Sequence, residues 1–203
     1  NENKKLFSTQ YFLSGSTFHY KDNLSYTSFF PSVTFLFRNS DLRSNFRQFL
    51  AFKYISIYRE ENNDQKKYPN YNIFNVKYII SDSYGGKGIS LNTDLQINKS
   101  FIKTSITGRF RNYYKDNRQY NIRFFLGKFF YNKTDDDYFS FSTYRTRDYM
   151  FNYNLLGRSE DSGFYSQQFI NTEGALKSRV KPAYSNNWIF SINSGITIWQ
   201  WVE

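Results

Sequence analysis

Hydropathy that repeats every second residue, over segments longer than a soluble strand needs, limits this chain to few folds. In Ile89–Asn98 one parity reads Ile, Leu, Thr, Leu, Ile and the other Ser, Asn, Asp, Gln, Asn. Successive side chains of a strand point to opposite faces, so such a segment has one apolar and one wet face. Strands in soluble sheets run to about 5–6 residues, whereas a strand crossing a bilayer at a steep tilt needs about 9–11. Leu6–Tyr20, Leu24–Arg38, Phe46–Glu60 and Tyr71–Tyr84 exceed both lengths. The pattern predicts an all-β fold: an antiparallel up-and-down transmembrane β-barrel of the outer-membrane type.

Composition agrees with a barrel wall. Aromatic residues make up 22% of the chain and mean hydropathy is only -0.70. No apolar run approaches the roughly 20 residues of a transmembrane helix. In a barrel only alternate residues meet lipid, so a moderate average is expected, and aromatic girdles mark the two interfaces. The net charge of +10 also fits a basic protein that stacks nucleic-acid bases on its aromatics. The cations are scattered and form no block, which argues against nucleic acid as a partner; a basic lumen, or loops facing anionic head groups, uses the same charge. The chain has no cysteine, so it holds neither a disulfide framework nor a thiolate metal site.

With 203 residues the chain is long enough for one domain. It opens on Asn1-Glu2-Asn3-Lys4-Lys5 without the apolar run of a secretory signal and closes on Trp199-Gln200-Trp201-Val202-Glu203, inside a predicted strand. Residues 1–203 are therefore expected to be part of one barrel domain, with the signal peptide and other domains elsewhere in a larger protein.

About ten strands are predicted: Leu6–Tyr20, Leu24–Arg38, Phe46–Glu60, Tyr71–Tyr84, Ile89–Asn98, Phe101–Tyr114, Tyr120–Tyr131, Tyr138–Arg145, Phe164–Thr172 and Trp188–Trp201. Turn residues such as Lys21-Asp22-Asn23, Gly85-Gly86-Lys87-Gly88 and Lys115-Asp116-Asn117 separate them. Pro31, inside a strand, removes a ladder donor and is expected to mark a bulge near the rim. The longer connections, Glu61–Asn70 and Thr146–Gly163, are expected to protrude.

Parity assigns faces. Trp188, Phe190, Ile192, Ser194, Ile196 and Ile198 form one set, expected to face lipid; Ile189, Ser191, Asn193, Gly195 and Thr197 form the other, toward the lumen. Arg109 shares a parity with Lys103 and Arg111, and placing it toward lipid would cost about 2–4 kcal/mol at the midplane. Lys103, Arg109, Arg111 and Arg123 are expected to be lumen charges, and Tyr113, Tyr114, Trp188, Trp199 and Trp201 interface aromatics. In Phe46–Glu60, by contrast, Arg47, Lys53 and Arg59 share a parity with Phe49, Ile55 and Ile57, which implies a bulge or strand ends beyond the membrane.

No catalytic motif emerges. The one histidine, His19, lies near a strand end and reads as a surface or girdle residue. There is no paired-histidine zinc motif, no nucleophile elbow and no phosphate-binding loop. Asp135-Asp136-Asp137 lacks calcium-loop spacing and reads as a solvated loop; Gly85-Gly86-Lys87-Gly88 reads as a hairpin turn. Arg158-Ser159-Glu160-Asp161 mixes charges in a loop that either stays outside or folds into the barrel.

One run is more particular: Tyr149-Met150-Phe151-Asn152-Tyr153-Asn154-Leu155-Leu156-Gly157-Arg158-Ser159-Glu160-Asp161-Ser162-Gly163-Phe164-Tyr165-Ser166-Gln167-Gln168, followed by Glu173-Gly174-Ala175-Leu176-Lys177 and Asn187-Trp188-Ile189. With Gln10-Tyr11-Phe12-Leu13-Ser14-Gly15-Ser16 and Asp41-Leu42-Arg43-Ser44-Asn45, it resembles the C-terminal region of large flavobacterial (Bacteroidota) M1-type metallopeptidase-like proteins. The resemblance implies a barrel that follows a gluzincin-like domain and anchors or scaffolds it at the outer membrane, non-catalytic in itself. The zinc ligands and catalytic glutamate of that family would lie in the peptidase domain, outside this chain, so no cofactor is expected here. The implied partners are outer-membrane lipid and other outer-membrane proteins. The rivals are a transport barrel, porin-like or TonB-dependent, a barrel subunit of a larger outer-membrane complex, and a soluble aromatic sandwich.

Overall fold

The computed structural model describes residues 5–21, 24–39, 41, 43–60, 69–115, 118–134, 137–144, 147–152, 173–176 and 180–198. The strands are β1 (Lys5–Lys21), β2 (Leu24–Arg38), β3 (Arg47–Glu60), β4 (Tyr71–Tyr84), β5 (Lys87–Asn98), β6 (Phe101–Lys115), β7 (Arg118–Asn132), β8 (Phe141–Ser142), β9 (Tyr184–Ser185) and β10 (Trp188–Ile196). Eight of them form one antiparallel sheet in the order β1-β2-β3-β4-β5-β6-β7-β10, while β8 and β9 pair only with each other. From β1 to β7, strands adjacent in sequence are adjacent in space, because short connections make that pairing cheap to close. The fold is the expected all-β up-and-down meander, but it is open, with β1 and β10 as its edges.

The β4–β5 turn shows how locally this is written. Gly85 and Gly86 have φ of 57° and 81°, between Tyr84 and Lys87, which pair across the ladder. Two left-handed residues in a two-residue loop match the right-handed twist of the strands, and glycine adopts both without a Cβ penalty.

Four expectations are corrected. Pro31 makes no bulge: on either side of it the β2–β3 register runs Phe29↔Ser56 and Ser32↔Lys53 without a shift, and it still sits opposite Leu13 of β1. Lacking an N–H, it opens the ladder briefly in mid-strand and the register resumes unchanged. Phe46–Glu60 carries no bulge either, since β3 keeps one register with both neighbours. Its mixed parity arises because one face of β3 is covered by protein, which can accommodate Ile55 and Ile57 beside Lys53 and Arg59. The predicted strand Tyr138–Arg145 is not in the sheet: only Phe141 and Ser142 pair, with β9, and the segment's aromatics pack across the sheet instead. Phe164–Thr172, Trp199, Trp201, Asp135, Asp136 and Arg158–Asp161 lie outside the described residues.

The sheet thus has an open face and a covered one. On β7 the alternation is strict from Ile122 to Phe130: Ile122, Phe124 and Leu126 are exposed, while Arg123, Phe125 and Phe129 are buried. The covered face holds the core, Ile55, Ile57, Tyr71, Ile73, Phe101, Phe125, Phe129 and Ile189, closed over by Phe139, Phe141, Tyr149 and Met150. Thr146–Gly163, expected to protrude, is described over 147–152, and there Tyr149 and Met150 are buried against this face.

Two glycines give the aromatic rings room, on opposite faces. A Cβ at Gly127 would strike the ring of Phe141, and one at Gly108 the ring of Phe124. Phe141 is fully buried, whereas Phe124 is 40% exposed. Gly127→Ala is expected to cost about 1–3 kcal/mol by overpacking, and Gly108→Ala clearly less, because the Phe124 ring can swing outward. Urea unfolding of the two variants checks the order.

Candidate functional site

The site that organises the covered face is built around Lys103 of β6. Parity puts it on the same face as Phe101 and, across the ladders, opposite Gln96 of β5 and Phe129 of β7. It is 2% exposed. An ammonium group without water must find its partners in protein, and this one does. It donates to the carbonyl of Phe139 at 2.9 Å and to the hydroxyl of Tyr149 at 2.9 Å. It also reaches Glu173 Oε1 at 3.4 Å, an ion pair. The rings of Phe141, Phe129 and Tyr149 surround it, that of Phe141 at 4.2 Å from Nζ to centroid, an arrangement in which ring quadrupoles replace part of the lost hydration.

Each partner is itself fixed. Glu173 Oε2 accepts the backbone N–H of Ser142 at 2.6 Å. The Tyr149 hydroxyl donates to Gln96 Oε1 at 2.6 Å. Burial, with the Glu173 carboxylate next in effect, pushes that phenol well above the ordinary tyrosine range, so it remains a donor. Gly174 N–H bonds to Ser142 O at 3.0 Å, and Leu176 N–H to Thr143 O at 3.0 Å. Glu173 and Ala175, flanking Gly174, have φ of 48° and 49°. A left-handed backbone at non-glycine residues persists where surrounding contacts over-determine it. Those contacts include Ser191 Oγ to Glu173 O at 3.2 Å and Asn193 Nδ2 to the carbonyls of Gly174 and Ala175 at 3.4 and 3.3 Å.

Further docking points lie across the sheet. Lys53 of β3 donates to Met150 O at 2.6 Å and Asn152 Oδ1 at 3.2 Å. Tyr71 of β4 donates to Tyr149 O at 2.8 Å. Arg59 bonds to Pro69 O at 2.7 Å and reaches the Tyr138 hydroxyl at 3.4 Å, with its guanidinium over the rings of Tyr26 and Tyr71. Residues 138–144, 147–151 and 173–176 thus span the sheet from Phe30 of β2, which packs on Phe151, to Asn193 of β10. The result is a segment of backbone seated on the sheet, held by two lysines and an arginine.

The register brings the four predicted lumen charges to this one face, with Arg109 directly opposite Arg123. Their surroundings differ. Lys103 and Arg123 are buried, and Arg123 donates to Asn193 Oδ1 at 2.8 Å, joining the seated segment at one remove. Arg109 and Arg111 are exposed. Tyr113 continues their alternation, its ring 5.5 Å from the Arg111 guanidinium; Tyr114 donates to Thr197 O at 2.6 Å. Trp188 is 58% exposed, on the open face opposite Lys128. Sequence reasoning missed Lys53, Arg59, Tyr149 and Glu173 as parts of one assembly. The mixed parity of β3 was a signal for the first two. Tyr149 and Glu173 each stand in a run already singled out as particular.

Chemically this is a dock. The lysine that would be a nucleophile or base is saturated by a carbonyl, a phenol and a carboxylate. His19 is exposed on edge strand β1. Among the described residues no three His, Cys, Asp or Glu side chains come together as a metal site.

Lys103→Met would leave the partly buried Glu173 carboxylate (15% exposed) without its cation, a change expected to destabilise by about 2–4 kcal/mol, below the cost for a fully buried pair. Lys103→Met combined with Glu173→Gln is expected to cost less than the sum of the two single changes. A double-mutant cycle by urea unfolding checks this; strict additivity would mean the pair is not coupled.

No family model, curated protein or solved structure matches this chain.

Proposed function

We propose that this chain is the wall of a transmembrane β-barrel in a bacterial outer membrane, non-catalytic in itself, which anchors or scaffolds the protein it belongs to. The observation that carries the reading is the open face. Across the eight strands its central band runs through Tyr11 and Leu13, Val33 and Phe35, Leu50 and Phe52, Phe74 and Val76, Leu91 and Leu95, Ile106, Phe124 and Leu126, and Phe190 and Ile192, with no charged residue. Charged residues on that face, Glu60, Asp82, Lys87, Arg118 and Lys128, stand toward strand ends. A belt of this kind, on strands of 12 to 17 residues from β1 to β7, suits a hydrocarbon layer and would be an aggregation surface in water. Soluble sandwiches avoid it by covering both sheets' apolar faces with one another.

The seated segment on the other face supports an anchor rather than an open channel, because it fills space a water-filled pore would need. The resemblance to the C-terminal region of M1-type metallopeptidase-like proteins supplies the cargo in this reading: a peptidase domain elsewhere in the protein, holding the zinc.

The full-length protein is expected to stay with the membrane pellet through alkaline carbonate, to migrate heat-modifiably in detergent, and to carry zinc. Release into carbonate as a soluble monomer would sink the membrane reading; retention without zinc would sink only the peptidase cargo. Leu126→Arg and Val76→Arg should each lower unfolding free energy in lipid vesicles by about 2–4 kcal/mol. Thr107→Arg, on the covered face, should be tolerated far better, and equal costs on both faces would contradict the assignment of lipid to the open one.

A further inference from the structure

The covered face carries more than side chains. It holds the β8–β9 ribbon and the backbone of residues 138–144, 147–151 and 173–176, seated from β2 to β10 through Phe151, Tyr149, Lys103 and Asn193. The interior of an eight-stranded barrel is only just wide enough for side chains, while barrels that hold a folded plug are far larger. These eight strands therefore lack the circumference to close on themselves around what they carry.

The edge of the sheet leads to the same place. β1 pairs with β2 along nearly its whole length, with register shifts only at Leu6/Ser8 and His19/Lys21. Between them it has no proline and no charged residue. Natural edge strands are usually blunted by such features; β1 is not. It exposes large apolar side chains on both faces: Tyr11 and Leu13 are 82% and 72% exposed on the open side, and Phe12 and Phe18, among Ser8, Gln10, Ser14 and Ser16, are 62% and 58% exposed on the covered side. Within a bilayer its unpaired N–H and C=O groups would have no water to bond.

Resting on the membrane reading above, we infer that this sheet is one arc of a plugged barrel of about sixteen strands or more, and that the free edge of β1 is bonded by a further antiparallel transmembrane strand of the same polypeptide. The same polypeptide is the source because each neighbouring pair from β1 to β7 is consecutive in sequence, the wiring of a barrel built from one chain. The strand it fits is a long alternating one, whose lumen side covers Phe12 and Phe18.

The test uses the full-length protein in lipid nanodiscs: hydrogen exchange across β1, with the molecular mass of the complex measured in parallel. All β1 amides from Thr9 to Phe18 are expected to exchange as slowly as those of β4, in a monomer. Free exchange of alternate β1 amides in a carbonate-resistant protein would overturn the inference and leave the membrane reading intact. Protection present in a dimer and lost in the monomer would overturn it in favour of a second copy. Disulfide formation within one monomer between cysteines replacing Leu13 and Ile192 would show the eight strands closing on themselves, and would also overturn it. Release of the full-length protein by carbonate would remove the membrane reading on which the inference rests.

Discussion

Register is the constraint on which everything else here depends. Side chains alternate with a period of two, so a slip of one residue in any ladder would exchange the two faces of that strand. The ladders hold one register from β2 to β6, with irregularities confined to the ends of β1 and to β6–β7. Because the faces stay in phase, Lys53, Asn75, Gln96, Lys103 and Phe129 form one row across five strands, and a single segment of chain can dock along it.

That row explains why a basic, aromatic face can be stable. Lys103 is costly to bury, and the cost is met by making it the meeting point of three separate segments: Phe139 from the approach to β8, Tyr149 from the turn beyond it, and Glu173 from the left-handed bend at Gly174. The buried pair is specific more than strong; it fixes which loop conformation seats on the sheet. Phe139 and Phe141 then pack edge-on against Tyr71, Phe125 and Phe129, geometries that favour aromatic pairs beyond their buried area. Among the described residues no such assembly lies on the open face, whose apolar belt is the surface available to lipid in the proposed setting.

Much of the sheet was legible in the sequence. Alternation located the eight long strands, and Gly85-Gly86 announced its hairpin because few residues accept two consecutive positive φ values. Lys103, Arg109, Arg111 and Arg123 share a face as their positions within the strands imply. Apart from the bulge expected at Pro31, the errors have one cause. Tyr138–Arg145 alternates like a strand, and Thr146–Gly163 has the polarity of a loop that protrudes, yet the described parts of both lie on the sheet. Periodicity reports what a segment can bury but says nothing of whether a ladder or a surface receives it. The confusing parity of β3 was the trace of that docking, and it reads as a bulge only when the covering segment is unknown.

The sequence by itself determined the strands, their two faces and the hairpin between β4 and β5, because these follow from side-chain alternation and backbone sterics within a few residues. Only the tertiary structure decided that the sheet stays open, that Pro31 interrupts a ladder without shifting it, and that Lys103 meets Tyr149 and Glu173. The last depends on contacts between residues 46 and 70 positions apart, where no local pattern selects the partner and burial of charge and aromatic surface does.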